Sequence, residues 1–508
     1  MSKLLIGWAE ESLVPEKKLR LQGQLYERIS QFVESEITAT AMAVESDGEQ
    51  MIMVSCDLTS IPQFLMDMVR ENVARLNPEI DVMKVMLAAT HTHTSHTLAD
   101  PNPKKDKIQP VLAKDILLEF IGEKQEYKPL VTPDETVMDP KDATVFVADK
   151  IAKAVDRAWR SREEALYANE FGRAAVGMCR RVSYDDGTAE MWGDTNTANF
   201  TALEGGNDSG VELIYTFDKN KNLTGVVANI ACPSQILEQR SFISADFWGR
   251  ARANIRAKLG NGVYLLGLGG AGGDQCPRDL VRWVQPETPI DDPHVKRKYP
   301  IRRKADPSMF DISGCNRAGK RVSNEILSVL EEITEYKSEA CLEHRVMNID
   351  LPLRKATKSE YQNAMREIQY YLDKNAGREE MNFEDYAKMY VHLGLVSRYR
   401  YQQFTESYTV ESHMIRFGDV AFATNPFELF LDFGNRLKAR SYAAQTFIVQ
   451  LCCGRGGYLP TEKAEKAGHY SAYITSGNVG HEGGDMFIRE QLKNINEMFD
   501  GEDIYVKE

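Results

Sequence analysis

The chain has little that would tie it to a membrane, to nucleic acid or to an oxidising compartment. No apolar run approaches the roughly 20 residues needed to cross a bilayer. The opening Met1-Ser2-Lys3-Leu4-Leu5-Ile6-Gly7-Trp8 is too short for a signal peptide, and Glu10 and Glu11 follow at once. A cytoplasmic location is expected, although prior removal of a signal peptide would leave the same sequence. Basic residues are in the minority: 62 Lys and Arg against 75 Asp and Glu give a net charge of −13, whereas phosphate neutralisation needs a dominant basic face. The one basic cluster, Lys296-Arg297-Lys298 with Arg302-Arg303-Lys304, follows Asp291 and Asp292 and reads as a solvated loop, its functional alternative being recognition of an anionic group. Eight cysteines in 508 residues, with Cys452 and Cys453 adjacent and no regular spacing, do not make a disulfide framework and point to reduced thiols. Short repeats, low-complexity tracts and a flexible interdomain linker are also missing.

What is present is ample material for a core. At 43% hydrophobic and 27% charged, the composition is that of a globular protein without a disorder signature. Apolar segments at 37–44 and 51–56 flank Ser46-Asp47-Gly48, a hairpin signal. A helix is expected at 61–76 with Pro62 in its first turn, and another at 145–160, where Val147, Ile151, Ala154, Val155 and Trp159 fall at helical spacing and read as a core face. Strands recur between 174 and 231, a helix follows Asp246, and helices near 316–333, 358–374 and 382–397 return to strands at 412–423. Two excursions, 101–142 and 281–312, are charged, proline-punctuated and weakly periodic, and read as loops roofing a pocket.

Five apolar runs end alike, breaking from β-type sequence into a residue able to hold a metal or move a proton. Residues 82–89 lead to Thr90-His91-Thr92-His93, 226–231 to Cys232, 263–266 to a glycine-rich turn ending at Asp274, 420–423 to Glu428, and 446–451 to Tyr458. Side chains at one end of neighbouring strands converge on one pocket whatever their spacing in sequence. In an extended segment His91 and His93 face the same side, and imidazole is both a zinc ligand and the side chain suited to proton transfer near neutral pH. For His96 a pocket role and a structural role are evenly balanced.

These motifs, in this order, resemble the catalytic domain of the neutral, non-lysosomal ceramidases. Thr90-His91-Thr92-His93 matches the family's Thr-His-Thr-His segment, Cys179-Arg180-Arg181 loosely its Asn-Arg-Arg or Asn-Arg-Ser segment, and Cys232-Pro233 its His-Pro strand end. Ser244-Ala245-Asp246 resembles its Ser-Asp or Gly-Asp step, Gly273-Asp274-Gln275-Cys276-Pro277 its Gly-Asp-x-x-Pro turn, Pro426-Phe427-Glu428 its Pro-Gly-Glu, and Tyr458-Leu459-Pro460-Thr461 its Tyr-Ile-x-Thr. The resemblance implies one catalytic domain over residues 1–508, a mixed-sheet, layered α/β to α+β fold. It also implies a zinc-dependent hydrolase of an amide or ester, with His91, Cys232, Glu428 and Tyr458 as metal ligands. Cys232 stands where the family has histidine. A thiolate ligand makes zinc a weaker Lewis acid and raises the pKa of its bound water; the other readings of Cys232 are a buried small hydrophobe and a nucleophile activated by His91 or His93.

Further roles are expected for the surrounding residues. His93 would shuttle protons or stabilise an oxyanion, assisted by Tyr458, with Asp274 alongside. Arg180 offers a planar fork to a polar substrate edge, Cys276 a pocket wall and Trp283 a substrate platform; Trp8, Trp192 and Trp248 read as core. The run from Gly267 to Gly273 contains the dinucleotide pattern, but Asp274-Gln275-Cys276-Pro277 breaks the helix such a site requires. The resemblance makes it a tight loop under the pocket, Gly270 included, with amides facing an oxyanion or a substrate hydroxyl. The family's C-terminal immunoglobulin-like sandwich is not expected in this chain, and neither are its long-chain lipid substrate and membrane setting. The expected partner is a small polar substrate, without nucleic acid or membrane, and self-association into a homo-oligomer stays open. Two alternatives remain: a carbohydrate-active enzyme (glycosidase, lyase or isomerase) using the same His/Glu/Tyr set, and a metal-free binding protein.

Overall fold

The computed structural model describes residues 3–103, 111–122, 125–128, 134–281 and 311–499. Trp283 and the basic cluster at 296–304 lie outside the described residues. Strands Leu5–Ser12 (β1), Thr38–Ser46 (β2), Glu49–Cys56 (β3) and Val85–Ala89 (β4) form one sheet, antiparallel except for the parallel pair β3 and β4. The β2–β3 hairpin is the expected one: Asp47 and Gly48 take φ of 53° and 80°, a two-residue turn whose twist matches that of the strands. Glu163–Arg173 (β5) begins against β1 and then pairs along Gly210–Asp218 (β6), which carries on to Leu223–Ile230 (β7) and the parallel Tyr264–Gly269 (β8). The order is β8-β7-β6-β5-β1-β2-β3-β4. Because β8 also packs across β1 to β4, this sheet turns at β5 and folds back on itself.

A second sheet joins Leu342–Pro352 (β9), Ser407–Phe417 (β10) and Val420–Thr424 (β11); the short Phe427–Leu429 (β12) follows, then Gln445–Val449 (β13), which closes that sheet parallel to β11, and Gly457–Leu459 (β14), parallel to β12. The two-residue period of a strand sorts its side chains between layers. Ile214, Val227, Leu266, Leu268, Phe422 and Phe447 join the cluster under β1 to β4, whereas their neighbours Leu213, Val226 and Leu265 face the opposite way into a second cluster, and Ala421 and Ile448 into a third.

Helices close the outer faces. Gln63–Leu76 (α1) and Pro140–Arg160 (α3) cover the first sheet, Asp246–Leu259 (α4) and Asp311–Glu332 (α5) its folded-back half, and Leu431–Arg440 (α8) and His481–Met498 (α9) the second sheet. Helix α3 starts before the expected residue 145: Asp139 caps it and Pro140 fills a first-turn position that needs no donor. Its Val147, Ile151 and Val155 are fully buried, each such side chain contributing about 1.5–3 kcal/mol. The excursion at 101–142 is not wholly a loop. It carries Ala113–Ile121 (α2), whose Ile116, Leu117 and Ile121 pack with Lys358–Lys374 (α6) and Phe383–Tyr401 (α7) through Ile368, Leu372, Met389 and Leu393, a separate helical cluster. Its apolar positions are too few in any one helix to reveal that face in sequence.

Candidate active site

Four pairs of parallel strands, β3/β4, β7/β8, β11/β13 and β12/β14, put the predicted residues at or just beyond their C-terminal ends. Strand β4 stops at Ala89, and His91 takes a left-handed φ of 68°, so strand alternation does not bring His91 and His93 together. The bent backbone does. Their rings meet edge to face, centroids 4.7 Å apart at 76°, with the two Nε2 atoms 3.2 Å apart. His91 Nδ1 lies 2.7 Å from the Thr59 carbonyl oxygen; a carbonyl only accepts, so the hydrogen is assigned to Nδ1 and the lone pair to Nε2. That Nε2 stands 3.6 Å from Glu428 Oε2.

Arg180 completes the centre. Its Nη2 donates to the Gly273 carbonyl at 2.9 Å and to the Tyr458 hydroxyl at 3.3 Å, and lies 3.9 Å from Glu428 Oε2. Gly273 is required by close packing, since a β-carbon there would fall 2.3 Å from the Glu428 carbonyl oxygen. Arg181, next in sequence, is buried and turns away into a two-pronged ion pair with Glu204, at 2.8 and 2.9 Å. Trp192, expected in the core, packs partly buried against the third cluster and also lies beneath the guanidinium groups of Arg180 and Arg278, at 5.6 and 4.5 Å. Behind His93, Glu238 Oε2 is 3.6 Å from Nδ1, and Arg28 Nη2 donates to the His93 carbonyl at 2.6 Å. Sequence reading missed Arg28, Trp192, Glu238 and Arg278. Trp192, Glu238 and Arg278 sit in irregular segments, and Arg28 in a two-residue strand, Arg28–Ile29, too short for periodicity to mark a facing side.

Burial governs the charge states. It pushes His91 below the ordinary histidine value, with Arg180 adding to it and Glu428 opposing. His93 falls well below, through burial and then the neighbouring His91, Arg28 and Arg180. Both rings are therefore neutral at physiological pH. Burial and then Glu428 raise the Tyr458 phenol well above its usual value, which keeps it a hydrogen-bond donor. Arg180 stays cationic despite burial because Tyr458 and Glu428 favour its charge.

Other predicted residues have different surroundings. His96 Nε2 is 2.7 Å from the Leu13 carbonyl oxygen and its ring lies against Phe146, so it ties the first strand to α3 rather than joining the His91–His93 pair. Cys232 is buried in the apolar cluster with Ile236 and Leu237, its Sγ 3.6 Å from the Pro233 carbonyl oxygen, and burial raises its thiol well above the usual range. Asp274 Oδ1 accepts from Leu431 N at 2.9 Å in the first turn of α8, and its carbonyl accepts from Arg180 N at 2.9 Å; it anchors the centre from behind. Burial raises its carboxyl to about 6. Gly270 donates its N–H to the Ile230 carbonyl at 2.8 Å, so that amide is not open to a ligand. Cys276 is buried, its Sγ 3.2 Å from the Arg278 carbonyl oxygen, with burial raising it to about 12.

A zinc ion with ligand bonds of about 2.0–2.3 Å holds two donors roughly 3–4 Å apart. The 3.6 Å between His91 Nε2 and Glu428 Oε2 meets that need, and the Thr59 carbonyl supplies the outer hydrogen bond that typically orients a metal-bound imidazole. Tyr458 offers a third oxygen beside Arg180. The Cys232 thiol does not share this set of contacts. Among the described residues, the one group of three His, Cys, Asp or Glu side chains with ligand atoms all within 4.8 Å of one another lies elsewhere, at Glu411, His413 and Cys453.

Layered mixed sheets with polar side chains gathered at the ends of parallel strand pairs define a neutral-ceramidase-like α/β fold. The neutral ceramidase from Pseudomonas aeruginosa superposes with a TM-score of 0.63 at 15% identity, covering 98% of this chain and 75% of that one. A ceramidase complexed with C2 gives 0.63 at 14% identity, covering 97% and 75%. No family model and no curated protein matches the sequence. At such identity the likeness establishes the fold, and the chemistry rests on the residues themselves.

Proposed function

We propose that the chain hydrolyses an amide or ester bond in a small polar substrate, with zinc held by His91, Glu428 and Tyr458. The observation that carries this reading is the His91 lone pair facing Glu428 at 3.6 Å beside a buried Arg180. When bound, zinc would polarise a carbonyl and acidify water. His93 is neutral and, facing the His91 lone pair, carries its hydrogen on Nε2, from which it is placed to give a proton to the leaving group and then recover one. Arg180, fixed by Gly273 and Tyr458, presents a positive charge where an oxyanion would develop. Charges at Glu238 and Arg28 beside His93, and at Arg278 beside Glu238, favour polar groups on the substrate. Cys232 packs beneath and takes no part in the reaction.

The test is metal analysis of protein purified without chelator, combined with hydrolysis of a panel of short N-acyl and ester substrates. One zinc per chain and turnover abolished by chelation are expected. Protein that carries no metal and cleaves or rearranges a glycoside instead would overturn the reading in favour of a carbohydrate-active enzyme using the same side chains.

A further inference from the structure

A second polar cluster lies between the first sheet and β10. His344 Nδ1 is 3.0 Å from the Gln50 carbonyl oxygen, so it carries the hydrogen and leaves its Nε2 as an acceptor. That Nε2 is 2.8 Å from His413 Nδ1, and His413 Nε2 is 2.8 Å from Glu411 Oε1. Both nitrogens of His413 must therefore donate, which makes the ring an imidazolium. Arg70 holds Glu411 through both Nη atoms, at 2.8 and 2.7 Å. Cys453 brings its sulfur within 4.8 Å of the His413 and Glu411 donor atoms, and Cys452 Sγ is 3.7 Å from Cys453 Sγ.

This arrangement does not suit a metal ion. Glu411 is already neutralised by the guanidinium of Arg70, and both His413 nitrogens are occupied by hydrogens. It does suit a thiolate. A buried imidazolium needs a compensating charge, and one carboxylate is shared with Arg70. We propose that Cys452 and Cys453 are a peroxide-oxidisable dithiol, with Cys453 as the reacting sulfur and Cys452 as the resolving one.

The electrostatics agree with the geometry. Burial opposes the charge on Cys453, but the Cys452 hydrogen bond and the His413 charge outweigh it and hold the thiol below its ordinary range. His413 is raised to about 9, burial being overcome by Cys453 and then Glu411. Cys452 lies well above the usual thiol value, chiefly through burial, so the two sulfurs differ in reactivity.

The chemistry balances with a peroxide as the co-reactant. Cys453 sulfur attacks one peroxide oxygen, the O–O bond breaks, and a sulfenic acid forms as hydroxide leaves. Cys452 gives its proton to that hydroxide and attacks Cys453 sulfur, the S–O bond breaks, and the departing hydroxide takes the proton that Cys453 shed on ionising and leaves as water. Two thiols and one peroxide become one disulfide and two waters. Neighbouring α-carbons are about 3.8 Å apart, below the usual disulfide range, so the bridge is strained and readily reopened by thiols. The turn that carries it takes φ of 53° at both Leu451 and Cys453, and Leu451 N donates to Phe427 O and Cys453 N to Leu87 O.

The experiment uses the full chain carrying Cys341→Ser, which removes the exposed thiol, and reads chemistry rather than catalysis. Hydrogen peroxide is added, the protein is denatured, free thiols are alkylated, and peptides are weighed. The expected result is a 452–453 peptide that has lost two hydrogens and taken up no alkylating agent, and that a dithiol reductant restores. In Cys452→Ser a dimedone-type probe should label Cys453, in Cys453→Ser it should leave Cys452 unlabelled, and His413→Gln should slow oxidation by about tenfold or more. Both cysteines alkylated as fully after peroxide as before, or the sulfenate found on Cys452, would overturn the proposal.

Discussion

The hydrogen bond from His91 Nδ1 to the Thr59 carbonyl sets the chemistry of this ring before any ligand arrives, because it puts the ring's lone pair on Nε2, facing His93 Nε2 and Glu428. Replacing His91 by Ala, or Glu428 by Gln, is expected to lower turnover by about 10²-fold or more while the circular dichroism spectrum stays unchanged, the scale lost with a metal ligand or a key electrostatic group. Arg180→Lys should also fail, since Gly273, Tyr458 and Glu428 all meet the one Nη2 at the end of the longer arginine side chain, a place the shorter lysine does not reach; recovery of full kcat would show that only the charge matters. Cys232→Ala is predicted to leave turnover within about threefold and to cost about 1 kcal/mol of stability for the small buried group lost; loss of bound metal in that variant would return Cys232 to the ligand set. His91, His93, Glu428 and Tyr458 were legible in the sequence because each follows an apolar strand that stops abruptly. His96 obeys the same local pattern yet bonds Leu13, since the backbone bends at His91 and no local signal shows where it next points.

Elements position these side chains through backbone contacts as much as through their own packing. The loop after β1 reaches under the site at Gly23, whose φ is 112° and whose added β-carbon would lie 2.4 Å from His93 Cγ. Gly23→Ala therefore strains the loop and pushes the His93 ring from its place, so kcat should fall by about tenfold or more with little change in KM; unchanged kinetics would mean that His93 is free to move without consequence. Strand positions were readable from apolar runs, and the β2–β3 hairpin from Asp47-Gly48. The cap of α2, α6 and α7 was not readable as a unit. Its contacts join residues near 117 to residues near 393, and neither helix announces a distant partner by period alone. Helix α7 illustrates the same limit: Asn382 caps it, but it continues to Tyr401 beyond the expected end, with Arg398 buried there and its guanidinium donating to the Arg354 and Gly477 carbonyls.

Across the whole molecule, charged groups are buried where a lipid-handling site would be apolar. With Glu238, Arg28, Arg180 and Arg278 around the histidines, long-chain ceramide should be turned over with kcat/KM below about 10⁴ M⁻¹s⁻¹, the low end for ordinary enzyme–substrate pairs; a higher value would overturn the small-polar-substrate proposal. The same burial makes stability depend on pH. Asp246, at the start of α4, is 1% exposed and accepts hydrogen bonds from Leu237 N and Phe247 N, yet burial lifts its carboxyl from 3.8 to about 7, the two amides opposing only in part. A carboxyl raised on folding holds its proton more tightly in the native state than in the unfolded one. Its contribution is therefore fully present below about pH 4 and is lost as pH rises through about 7. Three pKa units correspond to about 4 kcal/mol. Histidines lowered by burial, His91, His93 and His344, act in the opposite sense on the acid side, so the wild-type curve alone would mix the two. Asp246→Asn separates them: the amide keeps one acceptor and cannot ionise, so the variant should be less stable than the wild type at pH 4, and the gap should shrink by about 3–4 kcal/mol, or reverse, by pH 7. Urea unfolding of both proteins at the two pH values measures this. A gap that stays constant would mean that Asp246 ionises as an ordinary carboxylate within the folded chain.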